Sequence, residues 1–168
     1  DEGYLGQVTT PKSILGLTIS YTYKNFDLNV LFQGARGGKL WLTGTSAWAF
    51  SSNSSVLADY KDGRWTTENP DPNAKWPRLS SSNNVNNNQN STFWLKSSNY
   101  IRLKNVEVGY TLPKNWIKKL GLNNIRTFVT GSNIFTWSEM KIFDPERSNG
   151  FGDYPQMRVI NLGINVSM

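Results

Sequence analysis

Residues 156–168 read QMRVINLGINVSM. Apolar side chains occupy one alternating row of this stretch, and small or polar side chains occupy the other. Because successive side chains of a β-strand point to opposite faces, this period of two predicts a strand with one apolar and one polar face. That combination is typical of an outer-membrane β-barrel, whose strands face lipid outside and a polar interior. The residues expected to face the membrane here are Ile160, Leu162, Ile164 and Val166.

A second stretch, residues 13–24, shows the same alternation. Its apolar row alternates with glycine and hydroxyl side chains, and the chain then returns over about residues 26–37, which predicts a hairpin. About eleven residues at about 3.3 Å each, tilted by about 45°, rise roughly 25 Å, which is the height of the apolar band of a membrane barrel. The residues of this strand expected to face the membrane are Leu15, Leu17, Ile19 and Tyr21.

Three further strands follow, over about residues 98–112, 124–137 and 156–168. In the first of them the apolar positions change from odd at Ile101 and Leu103 to even at Val106 and Val108, and an extra residue near Lys104, a β-bulge, would reconcile the two rows. The connections at about 24–27 and 112–124 are short, whereas those at about 40–97 and 138–155 are long. Membrane barrels have short periplasmic turns and long external loops, so we expect that arrangement here.

Composition narrows the classes of function. The chain of 168 residues is 38% hydrophobic and 13% aromatic, and it has neither Cys nor His. Thiolate nucleophiles, disulfides and Cys/His zinc sites are therefore excluded, and the usual general base is missing, so we expect no enzyme, no metal and no cofactor. The net charge of +6 comes from scattered basic residues rather than a stripe, so no nucleic-acid partner is expected.

The long connection at about 40–97 carries several tryptophans, which argues against disorder and predicts a folded external loop. Trp65 and Trp76 lie in its polar, proline-punctuated middle, where a flat ring could stack on a sugar. We predict that Trp65, Trp76 and Arg78 bind substrate. The alternative is that the tryptophans only hold the loop together.

The second long connection, about 138–155, contains Asp144, Asp153 and Tyr154, for which we predict contacts with a lid or a neighbouring loop. Two of the three acids Asp144, Glu146 and Asp153 could also be the paired carboxylates of a glycosidase. Asp-Pro and Asp-Tyr-Pro are ordinary turn sequences, however, and the turn interpretation is favoured.

Several phrases occur together in one order: NYIRLKNVEVGYTLP at 99–113, VTGSNIFTW at 129–137, FDPE at 143–146 and GDYP at 152–155. With the alternating final strand, they resemble the C-terminal end of SusC/RagA-like TonB-linked outer-membrane proteins over most of this chain. Residues 69–79, NPDPNAKWPRL, resemble the segment that precedes these strands in that family. Met168 departs from the family, whose chains commonly end in an aromatic residue.

The resemblance implies an all-β fold, a transmembrane antiparallel β-barrel of which residues 1–168 supply the C-terminal five strands of 22, with a plug inside it. It implies import of large nutrients, either oligosaccharides or peptides, across the outer membrane. The implied partners are outer-membrane lipid, a SusD-like surface lipoprotein that acts as a lid, and TonB, which is contacted through a missing N-terminal region.

One alternative comes from a different class of protein, a soluble carbohydrate-binding β-sandwich. A sandwich would use the same aromatic residues but would bury its apolar rows between two sheets. The two hypotheses differ in whether Leu17, Ile19, Leu162 and Ile164 are buried within the chain or exposed on its outside.

Overall fold

The computed structural model describes residues 9–45, 47–53, 55–81, 84–118, 121–146, 154 and 156–168. Within these ranges the largest element is a five-stranded antiparallel sheet, here called the main sheet. The strands of the described residues are β1 (Ser13–Tyr23), β2 (Phe26–Arg36), β3 (Lys39–Trp41), β4 (Leu95–Ser97), β5 (Tyr100–Thr111), β6 (Asn124–Ser138) and β7 (Val159–Ser167), and two short helices are α1 (Tyr60–Gly63) and α2 (Lys114–Ile117). In the main sheet the strands lie side by side in the order β1-β2-β5-β6-β7, while β3 and β4 pair separately.

The expectation of an antiparallel, mostly β fold is confirmed. β1 and β2 form the predicted hairpin, and Lys24 in its two-residue turn has a φ of 53°, the left-handed conformation such turns favour. β7 begins at Val159, later than predicted, because Gln156 instead extends its side chain to Lys104 and Glu146. No helix in the described ranges is long and apolar enough to span a membrane.

The predicted bulge in β5 is confirmed. Leu31 of β2 pairs with Asn105, whereas its neighbour Phe32 pairs with Leu103, so Lys104 is the extra residue. The register between β5 and β6 shifts at the same level, where Asn133 has a left-handed φ of 53°. As a result, the odd and even apolar positions of β5 lie on the same face.

The main sheet has two faces of opposite character. Paired residues of neighbouring strands point to the same side, so the register defines continuous rows across the sheet. One such row is Leu17, Phe32, Leu103 and Phe135, and the rows that share its side form what we call the apolar face. The opposite side carries Asp27, Gln33, Arg102 and Arg126 and is called the polar face.

The buried hydrophobic cluster of the described residues lies in the long loop rather than against the main sheet. It consists of Leu42, Ala47, Tyr60, Trp76 and Trp94, and we call it the loop core. Tyr60 and Trp76 stack with ring centroids 4.2 Å apart, and the Tyr60 hydroxyl donates a hydrogen bond to the Ala47 carbonyl. The second loop contributes Met140, Ile142 and Phe143 to its edge. The long loop is therefore folded, as expected, and the two loops pack as one unit.

On the polar face the ring of Phe128 lies over Gly163, its partner on β7. A methyl group at Gly163 would overlap this ring. We therefore expect Gly163→Ala to cost about 1–3 kcal/mol of unfolding free energy, as overpacking does. The measurement is urea unfolding of the intact protein that carries this chain.

A double-mutant cycle separates this contact from other effects of the substitution. In a Phe128→Ala background the new methyl group has no ring to meet, so most of its cost should disappear. An equal cost of Gly163→Ala in both backgrounds would show that the ring does not require the glycine.

Candidate functional site

The apolar face carries exposed side chains from one end to the other, while most of its residues on the inner strands β2 and β5 are half-buried. Leu162 on β7 is 83% exposed and Ile19, the least exposed of the predicted membrane-facing residues on β1, is 46% exposed. All eight predicted membrane-facing residues lie on this face, and their contact with lipid stays a prediction. A β-sandwich formed by this chain would bury them, so their exposure contradicts the soluble alternative within the described residues. The eight are Leu15, Leu17, Ile19, Tyr21, Ile160, Leu162, Ile164 and Val166.

Aromatic rings border the apolar face at both ends. At the end with the short turns, Tyr23, Phe26 and Tyr110 form one row, with the Phe26 and Tyr110 ring centroids 4.6 Å apart. At the end with the long loops, Phe135 and Trp137 pack edge to face at the same separation. Aliphatic residues fill the rows between them. Two aromatic belts around an aliphatic band are the arrangement that membrane barrels present to the two lipid–water interfaces.

A buried arginine ties the second loop to the polar face. Arg102 of β5 has a side chain only 2% exposed. Its Nη2 donates to Asp144 Oδ1 at 2.6 Å, and its Nη1 donates to Glu146 Oε2 at 2.9 Å. Its Nε donates to the Thr136 hydroxyl on the neighbouring strand at 2.9 Å. All three guanidinium nitrogens are therefore engaged, and we call this group of residues the arginine clamp.

Other donors converge on the Glu146 carboxylate. Lys104 Nζ lies 3.3 Å from Oε2, Gln156 Nε2 donates to Oε2 at 2.7 Å, and Gln33 Nε2 donates to Oε1 at 3.2 Å. Glu146 thus connects β2, β5 and the entry to β7. This network fixes where the second loop leaves the main sheet.

Asp144 is ionised within the clamp. Burial raises the pKa of its carboxyl group, but the hydrogen bond from the Glu146 backbone N–H and the Arg102 guanidinium outweigh burial and hold the pKa below its ordinary value of 3.8. A carboxyl group whose pKa is lowered on folding stabilises the folded state fully above its unfolded pKa. That stabilisation is lost as the pH falls through the lowered value.

A second ionic cluster lies at the other end of the polar face. Arg126 of β6 pairs with Asp27 of β2 and with Glu107 of β5, the latter at 2.5 Å. These side chains are between 21% and 34% exposed, so each pair contributes less than a buried one. The cluster connects three strands near the short turns.

The three predicted substrate-binding residues lie close together, since the Trp65 backbone N–H donates to the Trp76 carbonyl at 3.0 Å and Arg78 follows two residues later, but they differ in exposure. Trp76 is 2% exposed and donates from Nε1 to Asp59 Oδ2 at 2.6 Å, so the expectation of an exposed ring is wrong for it. Its place in the loop core supports the alternative that it holds the loop together. Trp65 is half-buried and Arg78 is exposed, and their binding of substrate stays a prediction.

The predicted lid contacts have different surroundings where the structure describes them. Asp144 is held by Arg102, while Tyr154 is 96% exposed and Asp153 lies outside the described residues. Because Asp144 and Glu146 both pair with Arg102, neither is free in this structure to act as the acid or nucleophile of a glycosidase. Sequence reasoning missed Arg102 itself, although an arginine between Ile101 and Leu103 in an apolar strand was a signal for a buried polar role.

The chain matches no protein-family model. It is 29% identical over 174 residues to TonB-dependent receptor P3 and 31% identical over 171 residues to TonB-dependent receptor P26, both of Formosa agariphila. Each match covers 94% of this chain, but only 16% and 17% of those receptors. The chain thus spans about a sixth of the length of the curated relatives it matches.

Solved structures with a similar fold also match nearly all of this chain. The RagAB peptide importer in its open-open state matches with a TM-score of 0.72 at 23% identity, over 96% of this chain and 18% of that one. The RagAB peptide transporter matches with a TM-score of 0.72 at 22% identity, over 98% and 18%. Over nearly its whole length the chain is similar to a part of proteins named TonB-dependent receptors, and it has the fold of a part of the RagAB structures. The family resemblance seen in the sequence is confirmed.

The arginine clamp makes a sharp mutational prediction. Arg102→Met removes the charge but keeps a long side chain, and it leaves Asp144 buried without its cation. Breaking a buried pair on one side costs about 3–5 kcal/mol, so we expect a loss of that size in urea unfolding of the intact protein.

Arg36→Met is the matched control, because Arg36 is exposed at the end of β2. It should change the unfolding free energy by less than about 0.5 kcal/mol. Limited proteolysis should also cut residues 139–158 faster in Arg102→Met than in Arg36→Met. Equal stability and equal cleavage of the two variants would show that the clamp does not hold the loop.

Proposed function

We propose that the whole protein is an outer-membrane, TonB-dependent importer of large nutrients, and that this chain forms five adjacent strands of its 22-stranded barrel. The single observation that carries the proposal is the apolar face, which is exposed from one aromatic belt to the other. The relatives named TonB-dependent receptors support it. They are receptors rather than enzymes, and we propose no catalytic step.

A closed barrel follows from the requirements of the sheet edges. Within the described residues β1 pairs only with β2, and β7 pairs only with β6. An unpaired strand edge in hydrocarbon leaves backbone N–H and C=O groups without partners, which costs several kcal/mol each. We therefore propose that further strands continue the sheet on both sides and close it, with the apolar face in lipid and the polar face around the lumen.

The loops supply the external part of the proposed import pathway. The loop core gives the long loop a rigid fold, and the arginine clamp holds the second loop beside it. We propose that this unit forms one wall of an external ligand chamber closed by a SusD-like lipoprotein. Tyr154, together with Asp153, is the proposed contact with that lid, whereas the proposed contact with TonB lies outside this chain.

The ligand class is proposed to be peptides or oligosaccharides. The solved neighbours are named a peptide importer and a peptide transporter, so peptides are the first ligands to test. Trp65 and Arg78 remain the residues of the long loop that we propose contact the ligand.

The membrane assignment is tested by two adjacent positions of β7 that point to opposite faces. Ile160 lies in the middle row of the apolar face, whereas Asn161 lies on the polar face and donates to the Thr130 hydroxyl. An arginine facing lipid near the bilayer midplane costs about 2–4 kcal/mol. We therefore expect Ile160→Arg to reduce the amount of folded receptor in outer-membrane fractions.

Asn161→Arg is the matched control, because it places the same charge in the same strand on the lumen side. Its folded amount should equal that of the unaltered receptor. Equal tolerance of both arginines, or selective loss with Asn161→Arg, would contradict a lipid-facing apolar face.

The transport assignment is tested by uptake in cells that express the intact receptor. Accumulation of labelled peptides or oligosaccharides should require the receptor and should stop when TonB is deleted, because the energised step depends on TonB. Uptake that continues without TonB would overturn the proposal.

A further inference from the structure

The two loops enclose a cavity of about 120 Å³ beside the loop core. Leu42 and Trp76 of the long loop, with Ile142 and Phe143 of the second loop, form its apolar floor. We call it the inter-loop cavity. Ligand pockets for whole small molecules are commonly about 300–1,000 Å³, so this cavity is large enough for one end of a ligand rather than for all of it.

Positive charge surrounds the cavity. Lys75, Lys96 and Lys141 line it, together with one acid, Glu139. Lys75 already has a carboxylate partner, because its Nζ lies 2.5 Å from Asp59 Oδ2. The remaining lysines outnumber Glu139, and the lining retains a surplus positive charge.

Lys96 lacks a negatively charged partner among the described residues. Its Nζ lies 4.9 Å from the centroid of the Phe93 ring, and among the described residues no carboxylate lies within ion-pair distance of it. Burial, and then the like charge of Lys75, lower the pKa of Lys96. A ligand anion placed beside Lys96 would compensate both effects, because it would supply the counter-charge that the described residues do not provide.

We propose that the inter-loop cavity binds one end of the imported ligand, a carboxylate next to a small apolar group, with the carboxylate on Lys96 and the apolar group on Ile142 and Phe143. This inference rests on the proposed function and specifies its ligand. Two sources share the chemistry: the C-terminal residue of a peptide, and a uronic acid that ends an oligosaccharide.

Glu139 favours a single carboxylate over a polyanion. A ligand with several negative charges would meet the Glu139 carboxylate at the rim and would be repelled. A ligand with one carboxylate and an N–H or O–H group could instead donate a hydrogen bond to Glu139. The single surplus charge of the lining therefore matches a single terminal acid.

The test uses the intact receptor, purified in detergent, and calorimetric binding of two matched pairs of probes. N-acetylleucine is compared with N-acetylleucinamide, and a disaccharide ending in glucuronic acid is compared with its neutral glucose counterpart. In each pair only the carboxylate is lost. We expect at least one acid to bind about tenfold more tightly than its neutral partner, and the pair that shows this preference identifies the source.

Three variants test whether the preference for the acid probe depends on the charge of Lys96. Lys96→Gln should abolish it, while Lys96→Arg should retain it, since the charge is kept. Lys61→Gln is the control, because Lys61 is exposed on α1 and does not line the cavity. All three should unfold at the same temperature as the unaltered receptor, which excludes a general loss of folding.

The inference is overturned if acid and neutral probes bind equally, if none of the four probes binds, or if the preference survives Lys96→Gln. Uptake assays separate that failure from failure of the proposed function. TonB-dependent uptake without any acid preference would contradict the proposed ligand site but would still support the proposed import function. An acid preference that depends on Lys96, without TonB-dependent uptake, would support the proposed ligand site but would contradict the proposed import function.

Discussion

The apolar face of the main sheet is the feature on which the rest of the structure depends. The hydrophobic cluster of the described residues lies in the loops, so the sheet has little core of its own on which to pack this face. In the proposed barrel, hydrocarbon supplies the missing apolar environment, and hydrocarbon demands that every backbone group be paired. This one proposal accounts for both the exposed rows and the aromatic belts.

The polar face and the loops have a different role: their contacts hold irregular backbone in a fixed place. The loop core does so with stacked rings around Trp76, and the arginine clamp does so with charge-assisted hydrogen bonds from Arg102. Because Arg102 is almost fully buried, its two carboxylate partners are needed to compensate its charge. The clamp thereby positions the second loop against the long loop, and the inter-loop cavity forms where they meet.

The sequence predicts the strands well and the loops poorly, for physical reasons. A period of two is a local signal, so the apolar rows, the hairpin and the bulge at Lys104 follow from neighbouring residues alone. The pairing of Arg102 with Asp144 joins residues 42 apart in the chain and depends on the path of a loop without periodicity. For the same reason the sequence could not decide whether Trp76 is exposed to substrate or holds the loop together: a proline-rich, polar neighbourhood in sequence is a hydrophobic one in space.

The most direct test of the account is the environment of alternate residues along β7 in a native outer membrane. This chain has no cysteine, so single cysteines can be introduced at residues 160, 161, 162, 164 and 165 of the intact receptor after any cysteines elsewhere in it are replaced. The measurement is the rate of labelling by a water-soluble maleimide. The account predicts fast labelling at 161 and 165 and slow labelling at 160, 162 and 164. Equal rates at all five positions, or fast labelling of the apolar row, would contradict a face that lies in lipid.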